Sequence, residues 1–97
     1  MKYVRLGKSG LTVSKTAIGT VPLQRLSEDA AVSLVRKAYA GGITFYDTAD
    51  NYSNSELRLG LALEPVRHAV VIATKVSVHG YDAAKKAIEQ SLCNLRT

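Results

Sequence analysis

The chain opens on two short runs in which apolar and polar residues alternate, "KYVRL" and "LTVSK", separated by "GKSG". Gly7 and Gly10 supply the positive φ values of a tight reversal, so residues 1–14 are expected to form a β-hairpin. "TAIGT" follows as a short strand. Ser27 then offers an N-cap, with Glu28 and Asp29 in the positively polarised first turn of a helix. Ala31, Leu34, Val35 and Ala38 recur at the spacing of one helical face, Arg36 and Lys37 fall in the last turn, and Gly41 and Gly42 end the helix.

A second strand is predicted from Ile43 to Thr48. Ser53 and Glu56 have the spacing of a capping box, which opens a helix running through Leu57 and Leu61 until Pro65 terminates it. "AVVIATKV" is apolar and β-branched with almost no polar alternation, the pattern of a strand covered on both faces, so it reads as a central strand. Ala84, Ala87, Ile88, Ser91, Leu92 and Leu95 give the stripe of a last helix. The order is a hairpin over 1–14 and three β-α units over 15–97, in one α/β domain, with connections that suit right-handed parallel crossovers.

Side chains alternate along a strand. Ile43, Phe45 and Asp47 therefore share one face of their strand, and Val71, Ala73 and Lys75 share one face of the next. Each face ends in a charge at the C-terminal strand end, where parallel α/β folds place their ligands. An acid and an amine on adjacent strands would meet there, with Tyr52 delivered over them by the following loop. An ammonium beside a phenol favours the phenolate and lowers a pKa that is ordinarily about 10, so Tyr52 is a candidate to give or take a proton. Asp47 would hold Lys75 in place and keep it charged. A structural ion pair beside a loop aromatic is the plainer reading of the same residues.

Composition narrows the function. At 97 residues the chain suffices for one small domain with a modest core, and 46% hydrophobic with 22% charged residues is the balance of a folded globular protein. The formal net charge of +5 comes from scattered Lys and Arg with no interleaved aromatic residues, which argues against nucleic acid as a partner. No stretch is long enough to span a bilayer, the N-terminus lacks an apolar signal-peptide core, and the single cysteine, Cys93, cannot make an internal disulfide. A cytoplasmic protein without membrane contact and without a metal site is expected. His68 and His79 read as surface residues, and Cys93, with no base nearby in sequence, is not read as a nucleophile.

"YVRLGKSGLTVSKTAIGT", "ITFYDTADNYSNSELRLGLAL" and "VVIATKV" resemble, in chain order and interval, the opening third of the aldo/keto reductase family, and the resemblance extends over the whole chain. It implies the N-terminal part of a (β/α)₈ TIM barrel whose hairpin closes the bottom. It also implies reduction of small-molecule aldehydes and ketones to alcohols with NADPH, without the G-x-G-x-x-G fingerprint, which this sequence lacks. Carried over by position, Asp47, Tyr52 and Lys75 become three members of the family's catalytic tetrad, with Tyr52 as proton donor to the carbonyl oxygen. Gly19, Thr20 and Asp47 become the residues that approach the cofactor.

The fourth member, a histidine at the end of a fourth strand, has no counterpart among these residues, nor do the segments that hold the rest of the cofactor. Val21 stands where many relatives carry an aromatic residue. The 97-residue chain by itself is accordingly expected to be an inactive fragment. Its open sheet edges are expected to self-associate or to take up a complementary fragment. The alternative reading is a non-catalytic nucleotide-binding or protein-interaction module of the same barrel family.

Overall fold

Tyr46, 0% exposed, sits on the middle strand of a three-stranded parallel sheet, and the helices cover the face that it occupies. The computed structural model describes residues 1–97. Strands β1 (Tyr3–Arg5) and β2 (Thr12–Ser14) pair antiparallel as the predicted hairpin. Then follow β3 (Ile18–Gly19), a 3₁₀ turn (Val21–Arg25), α1 (Glu28–Ala40), β4 (Phe45–Asp47), α2 (Ser55–Leu63), a 3₁₀ stretch (Glu64–Ala69), β5 (Val71–Ala73) and α3 (Tyr81–Leu95). The sheet order is β3-β4-β5, with Gly19, Asp47 and Ala73 side by side at its C-terminal end. A hairpin and three parallel β-α units are the arrangement that the resemblance implies for the N-terminal part of a (β/α)₈ barrel.

The hairpin turns through Gly7 and Gly10 at φ +55 and +82, as the sequence required. Its far end is pinned to the start of β4, because Ser14 N–H donates to Thr44 Oγ1 and Thr44 N–H donates to Ser14 Oγ, both at 2.9 Å. The Tyr3 hydroxyl adds a bond to the Gly42 carbonyl at 3.0 Å. Since Thr44 precedes β4, the hairpin closes the end of the sheet opposite to Asp47.

Ser27 caps α1 by accepting from Ala30 N–H at 3.2 Å. Ala31 and Val35 are buried, and Val32, Ala38 and Tyr39 pack around them. Leu34, expected in the core, is 47% exposed. The buried stripe runs through i, i+4 and i+8, and Leu34 lies on its outer flank.

Further departures concern α2, β5 and α3. Ser53 has φ +49, a left-handed conformation that an N-cap residue does not adopt, so the expected capping box does not form. The helix starts at Ser55 behind Asn54, whose side chain makes no cap bond. Leu57 is 54% exposed, while Leu59, Ala62 and Leu63 enter the core. The strand expected at the centre is the outer one here: β5 pairs only with β4, and its three residues are all half-buried. Its continuous apolar character reflects Ile72 turned to the helices and Val71 and Ala73 turned to the open face. In α3, Ser91 and Leu95 are buried and Ala84 and Ala87 half-buried, but Ile88 and Leu92 stay 48% and 46% exposed, so two of the six stripe residues have no cover.

Tyr46 donates its hydroxyl to the Ile43 carbonyl at 2.8 Å, and burial, with Tyr39 adding to it, pushes the phenol up to about 12. Between α2 and α3 the contact is backbone to backbone at Gly60. A Cβ there would lie 2.2 Å from the Asn94 carbonyl oxygen and 2.9 Å from Leu95 Cα. Gly60→Ala should therefore push α3 off α2 and cost about 1–3 kcal/mol as an overpacked contact, read as a lower urea midpoint with unchanged slope. An alanine variant as stable as the parent would mean that the helices separate without penalty.

Candidate active site

Parallel pairing between β4 and β5 continues past the regular strands. Thr48 N–H donates to the Ala73 carbonyl at 2.8 Å and Asp50 N–H to the Lys75 carbonyl at 3.0 Å. This keeps residues 73–75 extended beside 47–50, so that Lys75 leaves the backbone on the same face as Ala73 and Asp47. Lys75 Nζ then donates to Asp47 Oδ2 at 2.7 Å and to the Thr48 carbonyl at 2.8 Å.

Tyr52 arrives by a compact turn. Its N–H bonds the Ala49 carbonyl at 3.2 Å, its own carbonyl accepts from Ser55 N–H at 2.9 Å, and the left-handed Ser53 reverses the chain into α2. The ring centroid lies 5.6 Å from Lys75 Nζ, within cation–π range. The sequence-predicted trio of Asp47, Tyr52 and Lys75 is brought together at the C-terminal mouth of the sheet.

The Lys75 and Asp47 side chains are 52% and 44% exposed, so the pair contributes little to stability and its ammonium stays reachable. The hydrogen bond to Asp47 holds the Lys75 ammonium above its usual 10.5, with the Asp47 charge and Tyr52 acting in the same direction and desolvation against. Two of the three ammonium protons are engaged, and Asp47 Oδ1 has no hydrogen-bond partner.

Gly19 is exposed, with no atom within 4 Å of where a Cβ would stand, and it is paired with Asp47. The strand end beside the pair is thus bare backbone. Thr20 lies differently. It is 0% exposed, and its N–H and Oγ1 both donate to the Asp47 carbonyl at 3.0 Å. The Thr20 side chain therefore sits behind the strand ends and holds the Asp47 main chain, away from the open face where Gly19 lies. Its own carbonyl accepts from Ser55 Oγ at 2.9 Å. Arg58 of α2 donates to the Leu23 and Leu26 carbonyls and fixes the turn that follows. Val21, His68, His79 and Cys93 are exposed.

Two acidic residues take parts that the sequence reading did not assign. Asp50 accepts the Ser77 N–H on both oxygens, at 3.2 and 3.0 Å, and those bonds hold its carboxyl below the usual 3.8. Glu56, expected at a helix cap, is 3% exposed and accepts from Thr74 Oγ1 at 2.7 Å and from Asn94 Nδ2 at 3.2 Å. The spacing of Ser53 and Glu56 fits a capping box, and only the left-handed turn at Ser53 excludes it.

The aldo/keto reductase family pattern matches residues 15–97. The chain is 41% identical over 87 residues to versiconal hemiacetal acetate reductase of Aspergillus parasiticus, covering 77% of this chain and 25% of that protein. It is 37% identical over 106 aligned positions to L-galactose dehydrogenase of Arabidopsis thaliana, covering 94% of this chain and 33% of that one. Among solved structures, the holo form of an aldo-keto reductase from Bacillus halodurans superposes with a TM-score of 0.89 at 32% identity, over all of this chain and 37% of its own. An aldo/keto reductase from Brucella melitensis gives 0.77 at 30% identity, over 99% of this chain and 38% of its own. The chain thus spans roughly a quarter to a third of the length of the curated relatives it matches.

Because the folded-state value of Lys75 is raised, the contribution of its pair with Asp47 is complete below pH 10.5 and is lost as pH rises through the folded value. Asp47→Asn should bring the Lys75 midpoint back toward 10.5, read by NMR titration of the side-chain Cε and Nζ signals. An unchanged midpoint would show that the carboxylate does not hold the ammonium in solution.

Proposed function

The chain belongs to the aldo/keto reductase family, and from that premise we propose that it is the tyrosine-bearing N-terminal part of a barrel that reduces aldehyde and ketone carbonyls to alcohols with NADPH. The observation that carries this reading is the convergence of Tyr52 and Asp47 on the Lys75 ammonium, 5.6 Å from the ring centroid and 2.7 Å from the carboxylate. On this reading Tyr52 donates its phenolic proton to the carbonyl oxygen of a small-molecule substrate. The Lys75 ammonium beside the ring favours the phenolate left behind. Asp47 keeps that ammonium charged and aimed, and the Thr48 carbonyl steadies it from the backbone side.

The residues present fit one end of a nicotinamide cofactor. Gly19 leaves the strand end open to close approach, Asp47 Oδ1 is a free acceptor, and Thr20 fixes the Asp47 main chain from behind. NADPH, when bound, supplies the hydride that the carbonyl carbon receives. The names of the relatives, one a reductase and one a dehydrogenase, fit a single carbonyl and alcohol chemistry run in opposite directions. No helix is long and apolar enough to cross a membrane, and a cytoplasmic setting belongs to the same reading, with Cys93 as the lone thiol.

In the barrel that carries these residues, Tyr52→Phe should lower kcat about 10²- to 10⁴-fold, the usual worth of a positioned proton donor, while NADPH affinity measured by fluorescence stays unchanged. Loss of cofactor binding would make Tyr52 structural, undiminished turnover would remove it as the proton donor, and a parent barrel without turnover would favour the non-catalytic module. The 97-residue polypeptide alone should consume no NADPH with an activated aromatic aldehyde.

The outer edges of β3 and β5 are unpaired, and edges of that kind pair with other chains. The polypeptide should therefore self-associate at micromolar concentration in light scattering. A monodisperse monomer would overturn that expectation.

A further inference from the structure

Glu56 is 3% exposed, and neither ion pair in the structure includes it. Burying a carboxyl group is costly unless its oxygens are partnered, so the two donors that it receives decide what holds it there. The Thr74 hydroxyl donates to Oε2 at 2.7 Å, and the Asn94 amide donates to Oε1 at 3.2 Å.

Thr74 stands between Ala73 and Lys75. The carbonyls of these two neighbours accept from Thr48 and Asp50 N–H at 2.8 and 3.0 Å. The strand end is therefore tied laterally to the β4 side, and Glu56 ties it from the helix-facing side through Thr74. Because side chains alternate, a fixed Thr74 fixes the twist of the segment and with it the direction in which Lys75 leaves the opposite face.

We propose that Glu56 is a positioning residue for Lys75, acting through the Thr74 hydroxyl to hold Nζ against Asp47 Oδ2 and the Thr48 carbonyl. The proposal rests on the reading of Lys75 as a site residue, but its test uses no turnover. Failure of the reductase reading would appear in the Tyr52→Phe kinetics, whereas failure of this one appears in the Lys75 signal.

The experiment follows the Lys75 ammonium by proton–nitrogen correlation NMR at mildly acidic pH in the barrel that carries these residues, with the signal assigned by its disappearance in Lys75→Arg. The parent should show a slowly exchanging ammonium. Glu56→Ala and Thr74→Val should each accelerate its exchange severalfold. Glu56→Gln should restore slow exchange, because its amide oxygen can take the Thr74 hydroxyl while its NH₂ faces an Asn94 amide turned over.

Asn94→Ala removes the other arm of Glu56 and should lower Tm while leaving the Lys75 signal as in the parent. A Thr74→Val signal like the parent's would overturn the proposal. So would an Asn94→Ala effect on Lys75 as large as that of Glu56→Ala, which would mark a purely structural role. If Glu56→Ala does not fold, Thr74→Val decides the matter by itself, since its side chain is isosteric and partly exposed.

Discussion

Two backbone hydrogen bonds beyond the regular strands, from Thr48 N–H to the Ala73 carbonyl at 2.8 Å and from Asp50 N–H to the Lys75 carbonyl at 3.0 Å, set the geometry of the whole site. Without them β4 and β5 would part after three residues each. The charged side chains would then hang on independent loops. With them the pleat continues, and a residue two positions past Ala73 must emerge on the side where Asp47 lies. The 2.7 Å contact of Lys75 with Asp47 is thus a consequence of main-chain register first and of charge second.

The same register divides the sheet into a packed face and an open one. Tyr46 and Thr48 are buried against the helices, whereas Phe45 and Asp47 are only half-buried on the other side. The packed face carries the stability, with Tyr46, Leu59, Leu63 and Val35 in one cluster. The open face carries the reactive groups, whose exposed ion pair adds little to folding. Site and core therefore sit back to back on a single strand.

How much of this could be read from the residues follows from the same division. Local rules sufficed where one residue decides a conformation, as with Gly7 and Gly10 in the hairpin turn or Ser27 at the start of α1. Strand alternation sufficed to bring Asp47 and Lys75 to one mouth. It did not reveal that Thr20 turns inward to the Asp47 carbonyl, because a two-residue strand leaves the face of the next residue open. Leu34 was misplaced because a helical stripe read on i+3 and one read on i+4 differ by a slight rotation that only the packing partner fixes. Glu56 departs from the cap role that its spacing suggests because Ser53 is left-handed, which nothing in the local residues signals. Gly60 carried no local signal, since its meaning lies in the Asn94 carbonyl 34 positions further along the chain.

The first turn of α2 gives these separate details one cause. Ser55 and Glu56 are adjacent in sequence, yet Ser55 Oγ reaches the Thr20 carbonyl beyond β3 at 2.9 Å, and Glu56 takes the Thr74 hydroxyl beyond β5 at 2.7 Å. One helical turn thus grips the strands on both flanks of β4. It follows the Tyr52 loop directly, so the segment that delivers the phenol also holds the Lys75 strand end through Thr74 and the Asp47 main chain through Thr20. Successive residues on a helix diverge by about 100°, which is what lets neighbours reach opposite flanks. The left-handed Ser53 sets where that turn begins, one residue later than a capping box at Ser53 would start it. The absent cap and the assembled trio are therefore linked features of one local fold.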